Sequence, residues 1–154
     1  MTFPTLSGAV HGGTTNSMGL TYVPMIVKGR GGRQRTVEMF VDSGAFWSLL
    51  PEADWRALDL RPSEKMSFAL ADGSVIERHV SDCRFVYGGR EKPSPVILGE
   101  GDDVALLGAV TLECLALVLN PLDRTLHPMS QLHLMQMRAH RHARMSASTV
   151  NVTG

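Results

Sequence analysis

Apolar residues in this chain recur in short stretches that Gly, Pro, Asp and Ser separate. In the stretch TVEMFVD, Val37, Met39 and Val41 alternate with the other residues and share one face, while Phe40 and Asp42 share the opposite face. This period of two is that of a β-strand with one buried face. Similar reasoning predicts strands in LTYVPMIVKG (20–29), TVEMFVD (36–42), KMSFALA (65–71), SVIERHV (74–80), CRFVY (83–87), SPVIL (94–98) and LVLN (117–120), and a closing strand in NPLDRTLHP (120–128).

Turn residues lie where these strands must reverse. RGGR at 30–33 and Gly88-Gly89 are two such turns, and Asp72-Gly73 is the pair typical of a two-residue hairpin loop. PEADWRAL (51–58) and VTLECLA (110–116) predict two short helices. Many short strands with two short helices predict an all-β fold, either a barrel or a sandwich.

The two ends of the chain differ from its middle in composition. Residues 1–17 are rich in Gly, Thr and Ser without periodicity, and we expect a flexible arm there. Residues 131–154 are polar and rich in His, Ser and Thr, which predicts a frayed helix and a disordered tail. One domain is therefore expected over residues 18–130. Neither cysteine nor carboxylate joins His133, His140 and His142 at useful spacing, so no metal site is predicted.

Composition and charge exclude several classes of function. The chain has 154 residues, 15 basic and 15 acidic, so no charge surplus attracts nucleic acid or an anionic membrane. Its longest apolar stretch, VALLGAVTLECLALVL, is interrupted by Thr111 and Glu113 and is too short to span a bilayer. The two cysteines, Cys83 and Cys114, form no disulfide framework. Reduced thiols in a cytoplasmic protein are expected.

The candidate chemistry lies at Asp42-Ser43-Gly44-Ala45. A carboxylate directly after an apolar strand must be paired or functional, because an unpaired buried charge is costly. The glycine permits a tight turn and a close backbone approach. Asp, Ser and Gly are also common turn residues, so an ordinary strand end is the alternative.

A second element, Leu106-Leu107-Gly108 followed by a short helix, favours a functional role for Asp42 over an ordinary strand end. The order FVDSGA, LADGS, LLGAVTLECL and LVLNP resembles that of the single-domain, retropepsin-like aspartic proteases over roughly residues 18–130. The resemblance implies a closed acid-protease barrel that forms half of a two-fold dimer. Peptide or protein would be the substrate, and neither cofactor nor metal would be needed.

The resemblance also implies roles for individual residues. Asp42 is the expected catalytic carboxylate, Ser43 braces the two active-site loops across the dimer, and Gly44 and Ala45 complete the loop. Leu107-Gly108 is expected to pack behind it. The stretch 66–80 is expected to form a flap over the substrate, with its tip at Ala71, Asp72, Gly73 and Ser74.

The stoichiometry of the chemistry predicts a homodimer without reference to a family. Peptide hydrolysis of this kind uses two carboxylates about 3 Å apart that share one proton. The chain has a single Asp-[Ser/Thr]-Gly triplet, so a second copy must supply the second carboxylate. Ala45 cannot donate the hydrogen bond to this carboxylate that a hydroxyl at that position could donate. The sequence therefore predicts an activity optimum in weak rather than strong acid.

Two departures from the retroviral pattern concern the substrate site. Phe46 and Ala109 stand where the retroviral enzymes have an aspartate and an arginine that pair beside the substrate. An apolar subsite that includes Phe46 and Trp47 is one interpretation, and burial of both in the core is the other. An aspartic endopeptidase is the leading prediction. A non-catalytic peptide-binding or dimerisation module on the same fold is the alternative.

Overall fold

The computed structural model describes residues 19–129. The predictions for residues 1–17 and 131–154, with His133, His140 and His142, lie outside this range. The elements in it are β1 Tyr22–Lys28, β2 Gln34–Val41, β3 Ser48–Leu50, α1 Glu52–Ala57, β4 Lys65–Ala69, β5 Val75–Tyr87, β6 Arg90–Leu98, β7 Leu106–Leu107, α2 Ala109–Cys114, β8 Leu117–Asn120 and β9 Thr125–Pro128. A 3₁₀ turn at Arg30–Gly32 joins β1 to β2. Neither α1 nor α2 has the length and apolarity that crossing a membrane requires.

Seven of the strands form one sheet in the order β1-β2-β7-β3-β6-β5-β4. The far end of β1 also pairs with β5, through Ile26–Lys28 and Arg84–Val86, so the sheet closes into a barrel. Strand β4 pairs only with β5 among the described strands and extends beyond the closed part. The remaining two strands, β8 and β9, form a separate hairpin. The predicted all-β fold is confirmed.

The core of the barrel is apolar and continuous. In β2 the alternation predicted from the sequence is present, because Val37, Met39 and Val41 are buried and Glu38 between them is exposed. Strand β1 contributes Val23, Met25 and Val27 to the same core, opposite β2 in an antiparallel register. Burial of these side chains is the main stabilising contribution to such a fold.

Two details of the hairpins differ from the prediction. SVIERHV and CRFVY belong to one strand, β5, whose pairing with β6 continues from His79 to Tyr87. The polar Ser81 and Asp82 interrupt the apolar pattern, but the Ser81 hydroxyl donates to the carbonyl of Arg61 and Asp82 is exposed. The apolar pattern of the sequence is therefore interrupted at a point where strand β5 is continuous.

The second difference is the turn that joins β4 to β5. The carbonyl of Leu70 accepts a hydrogen bond from the N–H of Gly73, and the N–H of Leu70 donates to Ser74. The loop therefore has three residues, 71–73, instead of two. Gly73 alone among them has a positive φ, of 84°. A type I turn followed by a left-handed glycine is a common three-residue hairpin loop.

An ion pair connects the β4–β5 hairpin to the loop before β7. Arg78 of β5 donates from Nε to Oδ2 of Asp103 at 2.7 Å and from Nη2 to Oδ1 at 3.3 Å. The N–H of Glu100 donates to the same carboxylate at 2.8 Å. The guanidinium hydrogen bonds of Arg78 hold the pKa of the Asp103 carboxyl below its ordinary value.

This ion pair predicts a pH-dependent contribution to stability. Because the Asp103 pKa is lower in the folded than in the unfolded chain, its contribution is present above about pH 4 and is lost as the pH falls through the folded pKa. Asp103→Asn is expected to lower the free energy of unfolding at pH 7 by about 1 kcal/mol, and by less as the pH falls toward 2. Urea unfolding at both pH values measures this, with the exposed Asp102→Asn as the control. A deficit that is the same at both pH values would contradict it.

Candidate active site

Asp42 directly follows the last residue of β2, at the point where that strand meets β7. Strand β7 pairs in parallel with β2, with Phe40 opposite Leu106 and Val41 opposite Leu107. The backbone N–H of Asp42 donates to the carbonyl of Leu107 at 3.0 Å. The apolar strand and its buried neighbour therefore hold the backbone of Asp42 at the rim of the barrel. Its side chain is half-buried.

A tight turn follows and orients the carboxylate. The N–H of Gly44 donates to Oδ1 of Asp42 at 2.9 Å, and the N–H of Ala45 donates to the Asp42 carbonyl at 3.1 Å. Ser43 and Gly44 are exposed, while Ala45 is half-buried. An Asx turn of this kind also occurs at ordinary strand ends, so this local geometry alone does not separate the two interpretations of the triplet. The hydrogen bond between Gly44 and the carboxylate is itself exposed.

The turn and the following residues pack against the start of α2 through backbone contacts. Ala109 donates its N–H to the carbonyl of Ala45 at 2.8 Å, and Val110 donates to Phe46 at 3.0 Å. Gly108 lies so close that a Cβ on it would be 2.5 Å from the carbonyl carbon of Trp47 and 2.6 Å from its oxygen. Leu107 is fully buried. The structure therefore places Leu107 and Gly108 directly behind the Asp42 loop.

Three buried hydroxyl groups below this contact were not predicted as site residues from the sequence. Ser48, Ser94 and Thr111 contribute one hydroxyl each, and their side chains contact one another across β3, β6 and α2. The feature of the sequence that could have indicated them is a polar residue inside an apolar stretch, as in Trp47-Ser48-Leu49. That signal is weak without a structure, because exposed polar positions in strands have the same appearance.

The predicted flap is the β4–β5 hairpin. The four tip residues singled out from the sequence, Ala71, Asp72, Gly73 and Ser74, are all exposed. Asp72 caps the turn, since its Oδ1 accepts from the N–H of Ser74 at 2.8 Å and from its hydroxyl at 2.6 Å. These hydrogen bonds lower the pKa of the Asp72 carboxyl, and the bond from the Ser74 hydroxyl has the larger effect. The cap therefore keeps its charge in weakly acidic solution.

An aromatic pair connects the β4–β5 hairpin to the Asp42 loop. The rings of Trp47 and of Phe68 on β4 are tilted by 58° with centroids 5.8 Å apart. Phe46, in contrast, has 71% of its surface exposed, so the interpretation that it is a core residue is wrong for the single chain. The structure thus brings the loop and strand β4 together and leaves one large aromatic side chain of the loop in solvent.

Other chemistries have little support in the described part of the chain. No group of three or more His, Cys, Asp or Glu side chains there has the arrangement of a metal site. Burial raises the pKa of the Cys83 thiol to about 12, so this cysteine is not a nucleophile near neutral pH. A cleft of about 680 Å³ lies between α1, β5 and the end of β6, and none of the predicted site residues lines it.

Comparisons with known proteins found two viral proteases among the solved structures that are similar to this chain. No protein-family profile and no curated protein matches the sequence. Among solved structures, the EIAV protease in complex with the inhibitor HBY-793 is 17% identical, with a TM-score of 0.49 over 66% of this chain and 92% of that one. The simian foamy virus protease is 24% identical, with a TM-score of 0.42 over 59% of this chain and 92% of that one. Both proteins are proteases of the retropepsin-like kind that the sequence motifs resemble.

Proposed function

We propose that this chain is an aspartic endopeptidase whose active form is a homodimer with one Asp42 from each copy at the two-fold axis. The observation that supports this most is the placement of Asp42. Its backbone N–H donates to the carbonyl of Leu107 in β7 at 3.0 Å, and the N–H of Gly44 orients its carboxylate. The next two residues of the turn, Ser43 and Gly44, are nevertheless exposed. A side chain fixed from behind and open in front is what a two-carboxylate centre requires from each copy.

The chemistry follows from two such carboxylates that share one proton. The ionised carboxylate accepts a proton from a water molecule as the water oxygen attacks the carbonyl carbon of the peptide bond. The protonated carboxyl donates its hydrogen to the carbonyl oxygen, and a tetrahedral diol forms. The carboxyl that took the proton from water then donates it to the amide nitrogen, while the other carboxylate accepts a proton from a diol hydroxyl. The C–N bond breaks, and an amine and a carboxylic acid leave the site. The two groups titrate as one coupled pair, so the pair has two apparent pKa values.

The surrounding residues have supporting roles in this proposal. Ser43 is exposed beside Asp42 and braces the partner's loop, while Gly44 and Ala45 shape the turn. Leu107 and Gly108 hold the loop from behind. Phe46 and the flap tip, 71–74, contact an extended peptide, and the exposed phenyl ring favours an apolar side chain in that peptide. Both cysteines of the described chain are free, in agreement with a reducing compartment such as the cytoplasm.

A peptide-binding module without catalysis is the second candidate. Strand β4 pairs on one side only within residues 19–129, so an extended peptide has an edge to pair with. Such a module needs no carboxylate at the end of β2, and this makes it the weaker proposal.

Cleavage of peptides by the purified full chain separates the two candidates, and dilution tests whether two copies share the site. A mixture of unrelated peptides is incubated with the protein between about pH 3 and pH 8, and products are identified by mass spectrometry. Cleavage is expected, and the activity per chain is expected to fall when dilution dissociates the dimer, as sedimentation records independently. Activity per chain that does not change while the protein sediments as a monomer would refute the shared site. Binding without cleavage would establish the module.

A further inference from the structure

Three hydroxyl groups form a connected cluster under the Asp42 loop. Ser48 and Thr111 have no exposed surface, and Ser94 has 3%. The oxygens of Ser48 and Thr111 are 2.6 Å apart, and those of Ser94 and Thr111 are 2.9 Å apart. Buried hydroxyls are tolerated only when their hydrogen bonds are satisfied. This cluster meets that condition without any charged group.

The hydrogen bonds of the cluster run in a single direction. Each hydroxyl has one proton to donate. Ser94 donates to the carbonyl of Pro95 at 3.3 Å, so its contact with Thr111 requires Thr111 to be the donor. Thr111 must then accept from Ser48, and Ser48 accepts from the backbone N–H of Gly108 at 3.0 Å. The chain of bonds therefore starts at Gly108 and ends at a backbone carbonyl of β6.

This chain of bonds acts on the backbone that holds the carboxylate. Gly108 directly follows Leu107, whose carbonyl accepts the N–H of Asp42. Gly108 also lies so close to the Asp42 loop that a Cβ on it would be 2.5 Å from the carbonyl carbon of Trp47. The hydroxyls thus connect three elements that are distant in sequence, namely β3 next to the loop, α2 behind it and β6 below it.

We propose that Thr111 and its partners Ser48 and Ser94 are positioning residues, which set the location of the Asp42 carboxylate through Gly108 and Leu107. This inference rests on the proposed function, since it assigns the cluster a part in the same site. Short hydrogen bonds define distances more sharply than apolar contacts do, and a reacting group that is displaced by about 1 Å loses much of its rate. None of the three residues touches the substrate.

Two replacements of the central residue test the proposal. Thr111→Val keeps the shape and removes the hydroxyl, which leaves the Ser48 proton without an acceptor. Thr111→Ser removes one methyl group and keeps the hydroxyl. For the folded dimer we expect kcat to fall by about 10-fold or more in Thr111→Val with KM within about 2-fold, and to recover in Thr111→Ser. An equally low kcat in both variants would overturn the proposal.

A merely structural role has a different signature. Val27→Ala, in the buried core at the far end of β1 from the site, provides a control of comparable stability loss. If Thr111→Val, like this control, lowers only the melting temperature and leaves kcat per folded dimer unchanged, the proposal is wrong. Should Thr111→Val not fold, Ser94→Ala takes its place, because it leaves the Thr111 proton without an acceptor. An unchanged kcat there would overturn the proposal in the same way.

Amide hydrogen exchange tests whether the hydroxyl cluster positions the Asp42 loop even if the protein cleaves no peptide. Absence of cleavage by the wild type would refute the proposed function, whereas the exchange rates of Asp42 and Gly108 report only on the position of their backbone. These rates are expected to rise by about 10-fold in Thr111→Val and to stay near wild type in Thr111→Ser. Equal rates at both amides in all three proteins would show that the cluster does not position the loop.

Discussion

Replacing Asp42 with asparagine is expected to lower the rate of peptide cleavage by about 100-fold or more and to preserve the fold. Asparagine has the size of aspartate and still offers an oxygen to the N–H of Gly44, which now donates to Oδ1 at 2.9 Å. It cannot accept a proton from water, and the loss of a general base lowers a rate by about 10²–10⁴-fold. Cleavage of the peptide mixture by equal amounts of folded wild type and variant measures this. The melting temperature should change little.

Asp82→Asn is the matched control for this variant. Asp82 is an exposed residue of β5, where the same change of charge leaves the Asp42 loop untouched. Its cleavage rate should equal that of the wild type. If Asp42→Asn cleaves as fast as Asp82→Asn does, Asp42 is not the catalytic carboxylate and the triplet is an ordinary strand end.

Mixed dimers extend the same experiment to the shared site. When wild type and Asp42→Asn chains exchange freely in equal amounts, about one quarter of the dimers carry two Asp42 carboxylates. The activity per wild-type chain is then expected to fall by about half. Activity that depends only on the amount of wild-type chain would show that each copy acts alone.

Gly108→Ala is expected to disrupt the loop behind Asp42. The added Cβ would lie 2.5 Å and 2.6 Å from the carbonyl carbon and oxygen of Trp47, and 2.9 Å from the oxygen of Phe46. These are backbone atoms, so no rotation of a side chain relieves the contact. Overpacking of this kind costs about 1–3 kcal/mol or more. We expect both a lower free energy of unfolding, measured with urea, and a loss of cleavage by the fraction that folds.

Gly44→Ala separates the two effects. A Cβ there would meet only Oδ1 of Asp42, at 3.2 Å, and Gly44 lies in an exposed turn. The variant should therefore keep the stability of the wild type and change activity alone, since the new methyl group displaces the carboxylate. A larger loss of stability in Gly44→Ala than in Gly108→Ala would contradict this account of the packing behind the loop.

The sequence by itself determined the local elements and the candidate carboxylate. The alternation in TVEMFVD identified the buried face of β2 and placed Asp42 directly after that strand, because both depend on neighbours within a few residues. The β1–β2 hairpin, α1 and α2 were likewise local. The prediction of two strands for β5 failed because polar Ser81 and Asp82 are accommodated by the carbonyl of Arg61 and by solvent, which pattern does not reveal.

The tertiary structure alone decided what stands behind and around the carboxylate. Ser48 and Thr111 are separated by 63 residues, yet their oxygens touch. The two-residue strand β7 lies between β2 and β3 because its partners hold it there, since so short a segment has no conformational preference strong enough to predict. The contact of Trp47 with Phe68 joins the Asp42 loop to the β4–β5 hairpin in the same way. Contacts between distant segments depend on how the whole barrel closes, and this closure is not a property of any one stretch of sequence.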